Sequence, residues 1–357
     1  MQFGKDDSAR VKGIAILLLC FHHMCYRKEF FVAYNMKTFL PQTWVVELAV
    51  LARVCVSVFA FISAYGLATI FMKKKESESA GRFVFKRWIT LMSAWWFAYP
   101  IQILALYLQG GSLKGVFSEG YADIFLDFMG WSDFFKAKMI AGINWYMFLA
   151  QLIVILTPVL CALSKKYRFL SLVYVFLAMQ FLGGFFNSSF GGDYVNYLFP
   201  IALGNYLAVN DVFSKIKVKH KIPSAFGFFA VSCLMMVAKF LTSKSHFDFR
   251  KLPFVAFGVA VFALCCVVAL VLPWDVVLKF LGKYSGNMYF VHIFIVRSEW
   301  LHKHVSNVLL LLLITLCLSL GLSVLIELVK KGIRYDRLIR KIASVGAHSE
   351  KTEISAS

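Results

Sequence analysis

The sequence predicts an all-α protein, a polytopic bundle of about ten transmembrane helices with both termini in the cytoplasm. Its 357 residues are 60% hydrophobic and only 16% charged, whereas a soluble protein would have about 45–50% apolar and about 25% charged residues. Apolar runs long enough to cross a bilayer recur along the chain. Lys and Arg residues concentrate in alternate connecting segments, and this bias sets the orientation.

The apolar runs are the candidate spans, and each is expected to be helical. Backbone groups in lipid must hydrogen-bond within their own segment, which a helix achieves. The sixth and ninth runs have the weakest pattern. The ten runs are approximately residues 11–29, 46–72, 88–109, 143–163, 168–186, 193–209, 222–241, 252–272, 281–297 and 305–329.

The distribution of charge supports this topology. With the N-terminus inside, Lys and Arg on the predicted inner segments outnumber those on the outer segments by more than two to one. The net charge of +19 therefore indicates basic cytoplasmic loops, and nucleic-acid binding is not expected. The longest outer loop, 110–142, is also the most acidic. Residues 1–345 are expected to form one transmembrane domain, and the small, polar residues 346–357 a disordered tail.

Several kinds of site are not expected. The eight cysteines lie in or near apolar runs without a CxxC pair, so we expect free thiols. No residue pattern predicts a bound metal. The chain also lacks a nucleotide-binding loop, a zinc-protease motif and a nucleophile elbow, which argues against an ATPase or a serine hydrolase.

The first apolar run carries two adjacent histidines, His22 and His23, beyond the basic residue Lys12. On a helix His23 lies roughly 16 Å beyond Lys12, about half of the ~30 Å hydrocarbon core or a little more. Titratable side chains at that depth are costly and usually face a bundle interior or cavity. A neutral imidazole could act there as a general base. The alternative is a histidine hydrogen-bonded to a neighbouring helix.

Further polar residues interrupt the second and ninth runs. Arg53 could bind an anionic or sugar ligand, or its side chain could reach the membrane surface. Ser63 and Tyr65 follow in the same run, where small and polar residues also allow close helix packing. His292 is another histidine within an apolar run.

Two clusters lie at the ends of other runs. Arg82, Lys86 and Arg87 precede the third span, where basic residues anchor the inner surface or bind phosphates. Asn144 and Trp145 open the fourth span, where an aromatic residue belongs to the interfacial belt or stacks on a sugar ring.

Taken in order, four stretches resemble the acyltransferase-3 family of membrane O-acyltransferases. The first is Lys12 followed eleven positions later by His23; the family usually has arginine at the first position. The second is the run 54–65 ending in Ser-Ala-Tyr, with Ala64 in place of the family's glycine. The third is the basic cluster before span three, which departs from the family's Arg-x-x-Arg. The last stretch consists of the pairs Trp145-Tyr146 and Tyr289-x-x-His292.

The resemblance implies an O-acyltransferase of the plasma or inner membrane that takes an acyl group, acetyl by default, from cytoplasmic acyl-CoA. The acceptor would be a hydroxyl of an exported or cell-surface glycan or a lipid-linked sugar. Acyl-CoA would be a co-substrate, without any tightly bound cofactor. Besides membrane lipids, the partners would be these substrates, and a homo-oligomer is compatible with the sequence. The implied catalytic residues are His23, then His22 and Lys12; the CoA-binding residues are Arg82, Lys86 and Arg87; the substrate-binding residues are Arg53, Ser63, Tyr65, Asn144, Trp145 and His292.

A transporter or flippase for a glycan or lipid-linked precursor would use the same polar cavity without covalent chemistry. The sequence shows no inverted repeat and no pair of broken helices in matching halves, which that class often has. Coenzyme A binding separates the two hypotheses.

Overall fold

The protein is described here from a computed structural model, which covers residues 1–75, 77–118, 120–189, 193–244, 251–272 and 274–344. The expected disordered tail at 346–357 lies outside these residues. The helices are α1 Lys5–Cys25, α2 Lys28–Ala33, α3 Gln42–Leu51, α4 Val54–Lys74, α5 Ala80–Leu108, α6 Leu113–Val116, α7 Tyr121–Phe128, α8 Trp145–Tyr167, α9 Leu170–Ser189, α10 Leu198–Val209, α11 Val212–Lys215, α12 Lys221–Lys244, α13 Leu252–Val271, α14 Val276–Val296, α15 Glu299–His304, α16 Val308–Gly332 and α17 Tyr335–Ser344, with a 3₁₀ turn at Tyr194–Tyr197.

The all-α, multi-pass architecture is confirmed, and within the described ranges no β-strand forms. Seven helices in the part of the chain that the structure describes are long and apolar enough to cross a membrane. The other three predicted spans correspond to α9, α10 and α14. Only Leu170–Gly183 of α9 qualifies as an apolar helix. α10 has 12 residues, or about 18 Å, less than the core thickness, and α14 carries lysines and buried polar residues.

The second predicted span is not one continuous helix. It divides at Ala52 and Arg53, where the amides of Cys55 and Val56 bond to carbonyls three residues back, at 3.0 and 3.1 Å. Such a tight turn within a helical run often marks a functional or strained position. The break places Arg53 at the start of α4.

α1 and α14 pack side by side in the same direction. Lys279 contacts Asp6 at 2.6 Å near their starts. Glycines allow the approach: a Cβ added at Gly13 would lie 2.1 Å from the Leu278 carbonyl oxygen, and one at Gly282 would lie 1.7 Å from the Ala9 carbonyl oxygen. Small residues are the usual means by which membrane helices come this close.

The segment 110–142, expected to be an outer loop, folds partly into the bundle instead. The indole N–H groups of Trp95 and Trp96 on α5 donate to the Phe128 carbonyl at 2.8 and 3.2 Å. Trp131 donates to the Gln151 side chain on α8 at 3.1 Å. Irregular backbone is tolerated at such positions because neighbouring helices satisfy its polar groups. This segment therefore helps to build the interior between α5 and α8.

Candidate active site

His23 and His292 meet near the ends of α1 and α14, with ring centroids 5.2 Å apart. His292 is fully buried. Its Nδ1 lies 2.8 Å from the Tyr289 carbonyl and 3.2 Å from the Met288 carbonyl. Because carbonyl oxygens only accept hydrogen bonds, Nδ1 carries the proton and Nε2 keeps its lone pair. Nε2 has no hydrogen-bond partner within the described residues.

The structure distinguishes the two adjacent histidines of α1. His22 donates from Nδ1 to the Ala49 carbonyl of α3 at 2.7 Å, and its ring stacks on Tyr26 at 4.9 Å. His23 makes no hydrogen bond to any residue that the structure describes, so both of its ring nitrogens are available. The difference follows from helix geometry, because neighbouring side chains point about 100° apart.

Two tyrosines, Tyr146 and Tyr289, form an aromatic wall beside the histidine pair. The Tyr289 hydroxyl donates to the Ile143 carbonyl at 2.6 Å, which joins α14 to the start of α8. The Tyr289 ring lies 5.2 Å from Tyr146 and 6.0 Å from His292. The Tyr146 hydroxyl in turn lies against Ser63 of α4. Tyr289, Tyr146 and Ser63, one side chain each from α14, α8 and α4, thus form a connected group beside the histidines.

Two predicted substrate-binding residues lie toward α10. Arg53 forms an ion pair with Asp193 at 3.5 Å. Trp145 packs against Tyr197, with ring centroids 5.8 Å apart. Both residues thus contact the segment that leads into α10.

A buried carboxylate that the sequence analysis did not single out lies behind this wall. Asp127 at the end of α7 is fully buried. It accepts hydrogen bonds from the Ile140 amide at 2.9 Å and from Asn144 Nδ2 at 3.2 Å. Burial raises the pKa of Asp127 to about 6. Its position inside the apolar run Ile124–Met129 was the available signal.

Asn144 is therefore part of this network and was predicted for a different reason, as a residue that opens a span. Its Oδ1 is buried, without a hydrogen-bond partner in the described part of the chain. Ile143, the preceding residue, holds Tyr289. Asp127 thus holds Asn144 in place. The same turn contains Ile143, which positions Tyr289 of the aromatic wall.

The basic cluster lies at the opposite end of the bundle. Lys86 and Arg82 converge on Glu78, with Lys86 in direct contact and Arg82 Nε at 4.0 Å. Arg87 lies over the Phe83 ring, 5.5 Å from its centroid. Phe83 packs on Phe71 near the end of α4, whereas α4 begins beside the histidines. Glu78 was missed, although a carboxylate four residues before Arg82 suggests a helical ion pair.

The sequence model of the family Acyl_transf_3, described as an acyltransferase domain, matches residues 10–328 of the chain. The chain belongs to the acyltransferase-3 family. The resemblance is thereby confirmed, and the protein is a multi-pass membrane acyltransferase. No curated protein and no solved structure matched the chain.

Two further residues that the family resemblance implied for the site of this acyltransferase, Tyr65 and Lys12, lie on α4 and α1. Tyr65 packs against Phe3 and Phe213 at 5.5 Å. Phe3 precedes α1, and twenty residues at 1.5 Å each separate it from His23 by about 30 Å. The ring of Tyr65 thus packs beside the segment that precedes α1, and its role in substrate binding stays a prediction.

Lys12 lies on the same face of α1 as His23, because eleven residues complete about three helical turns. The two side chains are still separated by about 16 Å of helix. Within the described residues, no group of three or more His, Cys, Asp or Glu side chains could hold a metal ion. At the site, the imidazoles of His23 and His292 lie side by side, with the Tyr289 ring beside them.

Proposed function

We propose that this acyltransferase moves an acyl group, acetyl by default, from acyl-CoA to a hydroxyl of an exported or cell-surface glycan. The observation that carries the proposal is the histidine pair, with unpaired nitrogens on His23 and on His292 Nε2. A histidine with a free lone pair within a membrane bundle is suited to proton transfer near neutral pH. The family membership supplies the reaction class.

The proposed reaction begins when His23 removes the proton from the acceptor hydroxyl. The hydroxyl oxygen attacks the thioester carbonyl, the new C–O bond forms and the C–S bond breaks. The coenzyme A sulfur takes the proton from His23, which returns to its neutral form. His292 lies close enough to orient His23 or to share the proton.

Acyl-CoA would enter from the end of the bundle at which α5 begins. Arg82, Lys86 and Arg87 can offer charge-assisted hydrogen bonds to its phosphates. The pantetheine arm, roughly 15–20 Å long, would then extend into the bundle toward His23, across part of the ~30 Å core. In this orientation both termini are cytoplasmic, the membrane is the plasma or inner membrane, and the acceptor arrives from the other side.

The test is transfer of labelled acetyl from acetyl-CoA by purified protein in lipid nanodiscs, measured as thiol release with and without a crude cell-surface glycan. We expect glycan-dependent release that His23→Ala reduces about 10²- to 10⁴-fold. The matched control is His220→Ala, an exposed histidine that should leave the rate unchanged. Undiminished transfer by a folded His23→Ala protein would remove the proposed base. Absence of both release and coenzyme A binding would favour the flippase hypothesis.

A further inference from the structure

An arginine follows the end of each of the two helices that carry the histidine pair. Arg27 follows α1, and Arg297 is the first residue after α14. Both are exposed. The Arg27 Nε donates to the Tyr26 hydroxyl at 2.7 Å, and the Tyr26 ring lies 6.1 Å from that of His23. The arginines therefore stand at the rim of the histidine site.

Arg297 reaches across to the turn that holds the aromatic wall. Its terminal nitrogen lies 3.6 Å from the position that a Cβ would take on Gly142. Gly142 directly precedes Ile143, whose carbonyl binds Tyr289. A ligand held by Arg297 would thus lie between α14, the start of α8 and the histidines.

Arg27 lies on the side of His23 that Tyr26 occupies, and Arg297 lies beside Gly142 at the start of α8. Neither forms an ion pair with any residue that the structure describes, whereas Arg10, Arg53 and Arg82 all have acidic partners. Glu29 lines a cleft together with Arg27 but forms no ion pair with any residue in the described part of the chain. Two positive charges that flank one site repel each other, and a bound anion would reduce this repulsion.

We infer that the acceptor is anionic, and that Arg27 and Arg297 bind its carboxylate or phosphate while its hydroxyl reaches His23. Arginine suits both anions because its planar guanidinium group can donate two parallel hydrogen bonds to a carboxylate or a phosphate. The role as acceptor rests on the proposed acyl transfer, but the anion site itself does not. Such a site selects uronic-acid or phosphate-containing glycans over neutral ones.

The test is direct binding to protein in nanodiscs of neutral phosphatidylcholine. The probes are a fluorescent hexasaccharide of alternating glucuronic acid and N-acetylglucosamine, its carboxyl-reduced neutral form, and a glycerol phosphate oligomer. We expect at least one anionic probe to bind about tenfold or more tightly than the neutral sugar. This preference should weaken with rising salt.

The variants locate the site. R27Q/R297Q should abolish the preference for the anion, and R27K/R297K should keep part of it because charge remains while the planar guanidinium group is lost. R337Q/R340Q, which removes two positive charges from exposed positions of α17, is the matched control and should bind like wild type. Equal binding of charged and neutral probes, or an unchanged preference in R27Q/R297Q, would overturn the inference. Folding of each variant is checked by size-exclusion chromatography.

Thiol release from acetyl-CoA, measured in parallel, separates the two proposals. Charge-selective binding without acyl transfer to any of the probes or to crude glycan would retain the anion site and count against the proposed function. Acyl transfer to the neutral sugar, with no preference for charge, would retain the function and overturn the anionic acceptor.

Discussion

His23 of α1 and His292 of α14 face each other with ring centroids 5.2 Å apart. Their approach depends on the close packing of the two helices, in which Gly13 lies against Leu278 and Gly282 against Ala9. The backbone contact near the starts of the helices thus sets the distance between the side chains near their ends. This relation between packing and chemistry leads to the first predictions.

If the two histidines act as one unit, their substitutions should not be additive. His292→Ala and His23→Ala should each lower acyl transfer about 10²-fold or more, and the double variant should be little worse than His23→Ala. The measurement is single-turnover transfer in nanodiscs. Multiplicative losses in the double variant would show that the two residues act independently.

His22→Ala should have a much smaller effect on transfer than His23→Ala. It removes one hydrogen bond, to the Ala49 carbonyl, which is worth about 1 kcal/mol of stability. Thermal unfolding in detergent and transfer rates measured together check this. A collapse of the rate with little loss of stability would instead assign the base to His22.

Gly282→Ala should separate α1 from α14. The new methyl group would meet the Ala9 carbonyl, and overpacking of this kind costs about 1–3 kcal/mol. Both the melting temperature and the transfer rate should fall. Gly286→Ala is the matched control one turn further along α14, where an added Cβ meets nothing within 4 Å. Equal behaviour of the two variants would contradict the packing argument.

Asp127 should make stability fall as pH rises from about 4 to about 6. Its pKa is raised from 3.8 to about 6 in the folded protein, so the folded state binds more protons than the unfolded state in this range. Melting temperatures across that range should show the slope, and Asp127→Asn should flatten it. Asp123→Asn, a change of the same kind on α7, should keep the wild-type slope. An unchanged slope in Asp127→Asn would reject the assignment.

Glu78→Gln should tighten coenzyme A binding if the cluster at the start of α5 holds its phosphates. The carboxylate of Glu78 competes for Lys86 and Arg82, and its removal should improve the dissociation constant by up to about tenfold. Lys86→Gln should weaken binding, whereas exposed Lys331→Gln is expected to have no effect. Unaltered affinity in both Glu78→Gln and Lys86→Gln would place the coenzyme elsewhere.

The sequence by itself was sufficient for the all-α membrane class, for the approximate positions of the helices and for the family. Apolar runs and charge-poor composition report directly on the lipid environment, because lipid permits only a few backbone structures. The histidines of α1 were also visible, since a titratable residue within an apolar run is costly and therefore conspicuous.

Only the tertiary structure decided which of these residues meet. Tyr65 belongs by pattern to the same helix as Arg53, yet its ring contacts Phe3 and Phe213, while His292 lies beside His23. Asp127 and Glu78 appeared as ordinary acidic residues until folding buried one and paired the other. Sequence patterns report the local preference of each segment, whereas these contacts arise from the packing of distant segments; for His23 and His292, that packing is the close approach of α1 and α14 at Gly13 and Gly282.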